Sequence, residues 1–283
     1  MERRSLVPYL LILPALAYLL FFVGYPLIQA LYLAFTQNGA LSLEVWRRTF
    51  SDYYFWSAFK YTIALAGVIV PIQVSLAVVL ALLMNRVFKG KDAALYALII
   101  PLTISDVAAG LIWYSMLSPY GFINKLLMNL GIITQPIYMF GYEYRTREFF
   151  AIVIAELWRS TAIVFVIILA GLQMISKEYL EAAEVFGASY WTKLRRIVLP
   201  LLKPSIQSAL IIRTLFAMQI FGVVWILAGR DIPVLAGEGY YQLTEIKDAG
   251  VASVYALVIA GLSILLGALY IKFLRAEYLE VGE

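Results

Sequence analysis

Four charged side chains fall inside long apolar runs of this 283-residue chain: Asp106, Glu156, Arg159 and Arg213. At the centre of a membrane helix each costs roughly 2.5 to 3.5 kcal/mol on insertion scales, so each requires a partner or water. Two acids and two bases can cancel one another. Glu156 and Arg159 stand three apart, within reach on one helix face. Asp106 and Arg213 are each the thirteenth residue of the apolar runs 94–117 and 201–227, which predicts equal depth and an interhelical pair. Such a set either ties helices together or borders a wet path through the bundle. Asp106 and Glu156 also have the chemistry of an acid and base couple, which keeps open an intramembrane enzyme acting on lipid.

Uncharged polar residues extend the candidate path. Gln73, Ser105, Gln207 and Gln219 interrupt otherwise apolar stretches, and Trp158 adjoins Arg159. A solute stripped of water needs replacement hydrogen bonds from amides and hydroxyls of this kind, although helix-to-helix bonding uses the same groups. Trp158 reads as an interfacial aromatic or as a surface on which a sugar ring stacks. The 20 Tyr and 6 Trp supply interfacial belts before they supply binding sites.

These residues must be carried by membrane helices. The chain is 63% hydrophobic and 14% charged, and its apolar runs reach the length that spans a bilayer. Six spans are expected, at about 6–35, 59–84, 94–117, 149–171, 201–227 and 251–273, giving an all-α integral membrane protein with one transmembrane domain over residues 1–283. Lys and Arg set its orientation. Arg3, Arg4, Arg86, Lys89, Lys91, Lys177, Lys193, Arg195, Arg196, Lys203, Lys272 and Arg275 fall on the side that holds both termini, twelve of the 22 basic residues. The positive-inside rule places that side in the cytoplasm. Ala15-Leu16-Ala17 imitates a signal-peptidase site, but the apolar run continues to Ala34, longer than a signal core, so the span is expected to be retained. Pro8, Pro14, Gly24 and Pro26 predict kinks in it.

What the sequence lacks narrows the chemistry. With no Cys and no His, disulfides, thiolate metal sites and catalytic dyads using either residue are excluded. The sequence has no G-x-x-x-x-G-K-[ST] phosphate loop, so the chain is not expected to bind ATP itself or to hold any cofactor. A formal charge of +4 without a dense basic run fits loops facing anionic headgroups and gives no reason to expect nucleic acid.

Between the fourth and fifth runs, residues 177–200 form a connection of distinct character. Lys177 to Phe186 is rich in Glu, Ala and Leu without a breaker and predicts a helix that Gly187 ends. Ala188 to Val198 predicts a second helical piece running up to Pro200. Ala182 and Ala183 allow close approach of another backbone, while Glu181, Glu184, Lys193, Arg195 and Arg196 offer charges for orientation. The segment has the makings of a docking knob on the cytoplasmic side. An ordinary amphipathic connection between two spans has the same composition.

The spacing Glu181-Ala182-Ala183, then Gly187, then Ile197, Leu199 and Pro200 resembles the coupling loop of permease subunits of binding-protein-dependent ABC importers. Leu13-Pro14-Ala15, Tyr25-Pro26-Leu27 and Ala34-Phe35-Thr36 are similar to the first helix of the maltose and glycerol-phosphate type. Asn85-Arg86, Pro101, Ser105, Ile112-Trp113, Pro119, Gly121, Asn124 and Leu127 follow that carbohydrate group in order and spacing. The run Ala170 to Ile175 resembles the first of the two permeases such systems carry. The resemblance covers nearly the whole chain. It implies a type I importer fold, a second homologous permease, two cytoplasmic ATPases holding ATP and Mg, and an extracytoplasmic sugar-binding protein. It further implies a multi-pass protein of a prokaryotic cell membrane that moves a neutral mono- or oligosaccharide by alternating access.

Two departures stand out. Phe186 occupies the place where the family commonly has an Asp before the coupling-loop Gly, so an apolar contact replaces a polar one. Ala228-Gly229-Arg230-Asp231-Ile232-Pro233 replaces a T-x-G-G-P run at the outer end of the fifth helix. Other readings of the chain are a permease for another small solute such as glycerol phosphate, and an ion-coupled secondary transporter, for which internal repeats are expected.

Overall fold

The computed structural model describes residues 7–86 and 88–273. Arg3, Arg4, Leu6 and Arg275, which entered the charge count and the first span, lie outside the described residues. Among the described residues five helices are long and apolar enough to cross a membrane, and a bent pair makes six crossings if it counts as one span.

The first crossing joins α1 (Val7–Leu19) to α2 (Tyr25–Phe35) through a π turn at Leu20–Gly24, where the Tyr25 N–H donates to the Leu20 carbonyl. Pro26 follows at once. Its ring and missing donor would interrupt the ordinary ladder, and the wider turn absorbs both. Asn38 and Gly39, with φ of 52° and 79°, then make a two-residue turn between β1 (Thr36–Gln37) and β2 (Ala40–Leu41), because a turn of that hand needs both residues left-handed. The short helix α3 (Glu44–Ser51) buries Val45 and Thr49, and its Arg48 pairs with Asp248 at 2.5 Å.

Helix α4 (Tyr53–Met84) starts at Asp52, whose carboxylate accepts from the Tyr54 N–H at 2.9 Å, and runs six residues longer than the predicted span at its start. The third span is not one helix. α5 (Lys91–Ile99) passes into a 3₁₀ turn at Ile100–Thr103, and the segment Asp106–Asn129, which opens with α6 (Asp106–Leu117), is bent by 105° from Lys91–Thr103. Pro101 cannot donate, and Ser105 is extended with its Oγ accepting from the Ala108 N–H at 3.2 Å, so a fresh helix starts there instead of the old one continuing. After α7 (Phe122–Asn129), α8 (Arg145–Gln173) runs 29 residues through the centre.

The connection after α8 differs from expectation in its second half. α9 (Lys177–Val185) forms as predicted, but the next helix begins at α10 (Tyr190–Lys193) and does not stop at Pro200. A π turn at Leu194–Val198, closed by Leu199 N–H to the Leu194 carbonyl, carries it into α11 (Leu199–Met218), so 190–218 is one helix. The reason is that of Pro26: a π turn just ahead of a proline lets the chain pass. α11 breaks at Gln219–Phe221, short of the predicted Leu227, and α12 (Gly222–Leu227), α13 (Leu235–Thr244) and α14 (Ala249–Phe273) follow.

Helix α8 is the hub. Val70, Val74 and Ala77 of α4 pack with Phe165 and Ile168 of α8 and with Leu202 of α11 in one buried cluster. A second cluster joins Leu65, Ile69 and Ile152 to Val223 and Val224, and a third gathers Phe55, Leu235 and Tyr255. Gly171 lets α8 and α11 touch: a Cβ there would lie 1.9 Å from Ser205 Oγ. By contrast, Leu10 to Leu20 of the first crossing are exposed throughout.

Candidate functional site

The charges assemble into a chain of contacts across four helices, α4, α6, α8 and α11. Arg213 of α11 is 2% exposed and donates through Nη2 to Glu156 Oε2 of α8 at 2.7 Å, and through Nε to Gln73 Oε1 of α4. Gln73 is sealed from solvent and its amide donates to the Glu156 carbonyl at 2.9 Å. The Ser160 hydroxyl donates to Glu156 Oε2 at 3.0 Å. Arg159 reaches Glu156 Oε1 at 3.1 Å on one side and Asp106 at 2.8 Å on the other.

The direct Asp106–Arg213 pair expected from equal depth is therefore not formed. The break at Ile104–Ser105 puts Asp106 on the first turn of α6, half exposed and facing Arg159, while buried Glu156 takes Arg213. The order is Asp106, Arg159, Glu156, Arg213, with a net charge of zero. Gly222 is part of this arrangement, since a Cβ there would lie 2.6 Å from Asp106 Cβ.

A cavity of about 330 Å³ opens against this cluster, bounded among others by Leu102, Asp106, Arg159, Ser160, Phe216 and Gln219. Asp106 and Arg159, with side chains 48% and 17% exposed, front it; Glu156 and Arg213 stand behind. Gln219 is exposed because α11 ends beside it. Other candidates lie elsewhere. Ser105 caps α6, Gln207 reaches the Tyr270 carbonyl at 3.5 Å, and Trp158 packs edge to face on Trp113 at 6.1 Å. Ser160 and Phe216 were not singled out from the sequence; Ser160, four residues after Glu156, carried the only positional signal.

At one end of the bundle α9 and α10 project as a knob. Ser176 caps α9 by accepting from Glu178 N–H at 3.3 Å. Its other end closes with Gly187 N–H to the Glu184 carbonyl and Ala188 N–H to the Ala183 carbonyl, both at 2.9 Å, the paired bonds of a Schellman stop. Gly187 has φ of +73°, a left-handed backbone that an added side chain would strain, while a Cβ there would meet no other atom within 4 Å. Val185 and Phe186 are 85% and 89% exposed, Glu181 and Ala182 are also exposed, and Ala183 is half-buried. Glu184 pairs with Lys193, bracing α9 against α10. Ile197 and Leu199 are half-buried and Pro200 is exposed at the root. The result is an apolar tip beside a ridge of small residues, a shape that another protein can grip.

At the opposite end the departing segment 228–233 is clamped. Arg230 forms two bonds to Glu238 at 2.8 and 2.9 Å, with its guanidinium over the Tyr54 and Tyr241 rings at 4.1 and 3.8 Å. The hydrogen bonds to Glu238 hold the guanidinium pKa above its ordinary value. One side chain thus fixes the loop to α13 and to the start of α4.

Residues 73–275 match the family described as binding-protein-dependent transport system inner membrane component. The trehalose transport system permease protein of Mycobacterium tuberculosis is 31% identical, over 97% of this chain and 90% of that protein. The trehalose/maltose transport system permease protein of Thermococcus litoralis is also 31% identical, over 99% and 95%. Among solved structures, a chain of a bacterial ABC transporter involved in the import of the acidic polysaccharide alginate superposes with a TM-score of 0.85 at 23% identity, covering 98% of this chain and 97% of that one, and shares the fold.

Proposed function

The chain belongs to the inner membrane components of binding-protein-dependent transport systems, and on that premise we propose that it is the permease subunit of an ATP-driven importer of a neutral mono- or oligosaccharide. The single transmembrane domain alternates between inward-open and outward-open states, and both termini face the cytoplasm of a prokaryotic cell. Its partners are a second homologous permease, two cytoplasmic ATPases that bind ATP and Mg, and an extracytoplasmic sugar-binding protein. Relatives that carry trehalose and maltose support the sugar assignment.

The exposed knob at 177–200 is the observation that carries this reading. A helix stopped by a Schellman motif, with Glu181, Ala182, Val185 and Phe186 turned outward, gives an ATPase a rigid lever. The Glu184–Lys193 pair ties that helix to α10, and α10 continues through the π turn into α11, which carries Arg213 and Phe216 to the central cavity. Rigid-body motion at the knob is thereby transmitted to the cavity wall.

The cavity suits a neutral polyol. Asp106 accepts, Arg159 donates, Ser160 accepts while its proton is held by Glu156, and Gln219 does both, while the two acids and two bases leave no excess positive charge to hold an anion. The test is uptake by the reconstituted complex with its binding protein. Glu181→Lys and Gly187→Trp are expected to leave insertion and assembly intact and to cut solute moved per ATP hydrolysed. Normal coupling in both variants would overturn the role of the knob. Stimulation only by an amino acid, a peptide or glycerol phosphate would overturn the sugar.

A further inference from the structure

Between the knob and the bundle lies a second cavity of about 360 Å³, separate from the charged centre. Its rim carries Arg86 at the end of α4, Lys177 at the start of α9 and Lys193 of α10, with the amides of Asn85 and Gln173. The residues lining it include no carboxylate. Lys193 already pairs with Glu184, whereas Arg86 stands over the Tyr190 ring at 5.3 Å and Lys177 makes no ion pair among the described residues. Two cations are thus left to hold a ligand. The floor is apolar: Leu82, Leu172 and Leu180 line it and continue into the main core cluster.

We propose that this cavity binds the headgroup of an anionic phospholipid, its phosphate oxygens taken by Arg86 and Lys177 and its first methylenes laid on Leu82, Leu172 and Leu180. The inference rests on the reading of this end as the cytoplasmic one. A soluble phosphate compound would use the rim and leave the floor bare; an amphiphile uses both. The site also lies where crossing helices α4 and α8 end, at the level of headgroups, and basic pockets there attract anionic lipid. Its occupant touches the ends of α4 and α8 on one side and α9 and α10 on the other. The lipid therefore braces the lever against the bundle, and membrane composition sets how firmly the ATPase is coupled.

The experiment uses the assembled transporter in phosphatidylcholine nanodiscs with and without phosphatidylglycerol, with retained lipid read by native mass spectrometry and coupling read by stimulated ATPase activity. Arg86→Gln and Lys177→Gln are each expected to weaken phosphatidylglycerol retention roughly fivefold. Lys177→Arg is expected to preserve it, and Lys203→Gln, an exposed charge outside the cavity, to change nothing. Equal retention in a variant carrying both Arg86→Gln and Lys177→Gln and in Lys203→Gln would overturn the proposal. So would displacement of the lipid by inorganic phosphate, which would assign the rim to a soluble anion. If phosphatidylglycerol is retained as expected while Glu181→Lys and Gly187→Trp couple normally, the lipid site stands and the ATPase reading of the knob falls.

Discussion

Glu156 and Arg213 are paired and both almost wholly enclosed, so the energetics of each depends on the other. Breaking such a pair from one side leaves a buried charge without compensation, which costs about 3 to 5 kcal/mol, whereas removing both charges together is often close to neutral. Glu156→Gln and Arg213→Gln are each expected to lower the thermal stability of the assembled complex sharply, and the double variant to recover much of the loss. A double-mutant cycle in detergent measures this; strictly additive losses would show that the two do not act as a pair. Asp106 behaves differently because its side chain is half exposed. Asp106→Asn is expected to leave stability almost unchanged and to reduce uptake, since it alters a group that fronts the cavity. Equal destabilisation by Asp106→Asn and Glu156→Gln, measured as the shift in melting temperature, would contradict that division.

Two prolines share one device among the elements. Pro26 and Pro200 each sit two residues after a π turn, at Leu20–Gly24 and at Leu194–Val198. A π turn holds one residue more than the ordinary ladder needs, so it sets the rotation of everything before it relative to everything after it. Pro200→Ala restores a donor to the backbone and allows the regular ladder to re-form. The expected outcome is a knob rotated relative to α11, with assembly preserved and sugar moved per ATP reduced; spin-label distances from residue 185 to the bundle would register the turn. Unchanged distances and unchanged coupling would show that the proline is incidental. Gly222 acts on the same scale. Gly222→Ala is expected to push Asp106 off Arg159, because no side chain fits within 2.6 Å of Asp106 Cβ, and uptake should fall as it does for Asp106→Asn.

For the whole molecule, the exposed first crossing and the exposed knob are surfaces that the single chain does not cover. Both are expected to be covered only in the complex. The purified chain alone is expected to show no saturable ATP binding, since the sequence has no phosphate loop, and hydrolysis to appear only when an ATPase subunit is added. Isothermal titration of the purified chain with nucleotide checks this, and a stoichiometric binding heat would refute it.

Apolar run length and the spacing around Glu181 were enough, by themselves, to specify a bundle of crossings, the family resemblance and the helix that Gly187 stops, because these follow from local composition and backbone preference. The partner of each buried charge was not legible. Equal depth along Asp106 and Arg213 says nothing about which helices face one another, and the choice was made by the 105° bend at Ile104–Ser105, which turned Asp106 toward Arg159 and left Glu156 to Arg213. Sequence rules likewise read Pro200 as a stop, since they count the missing donor but not the π turn that accommodates it. Only the packed structure decided these points, because ion pairing and helix continuity depend on which surfaces meet across the bundle.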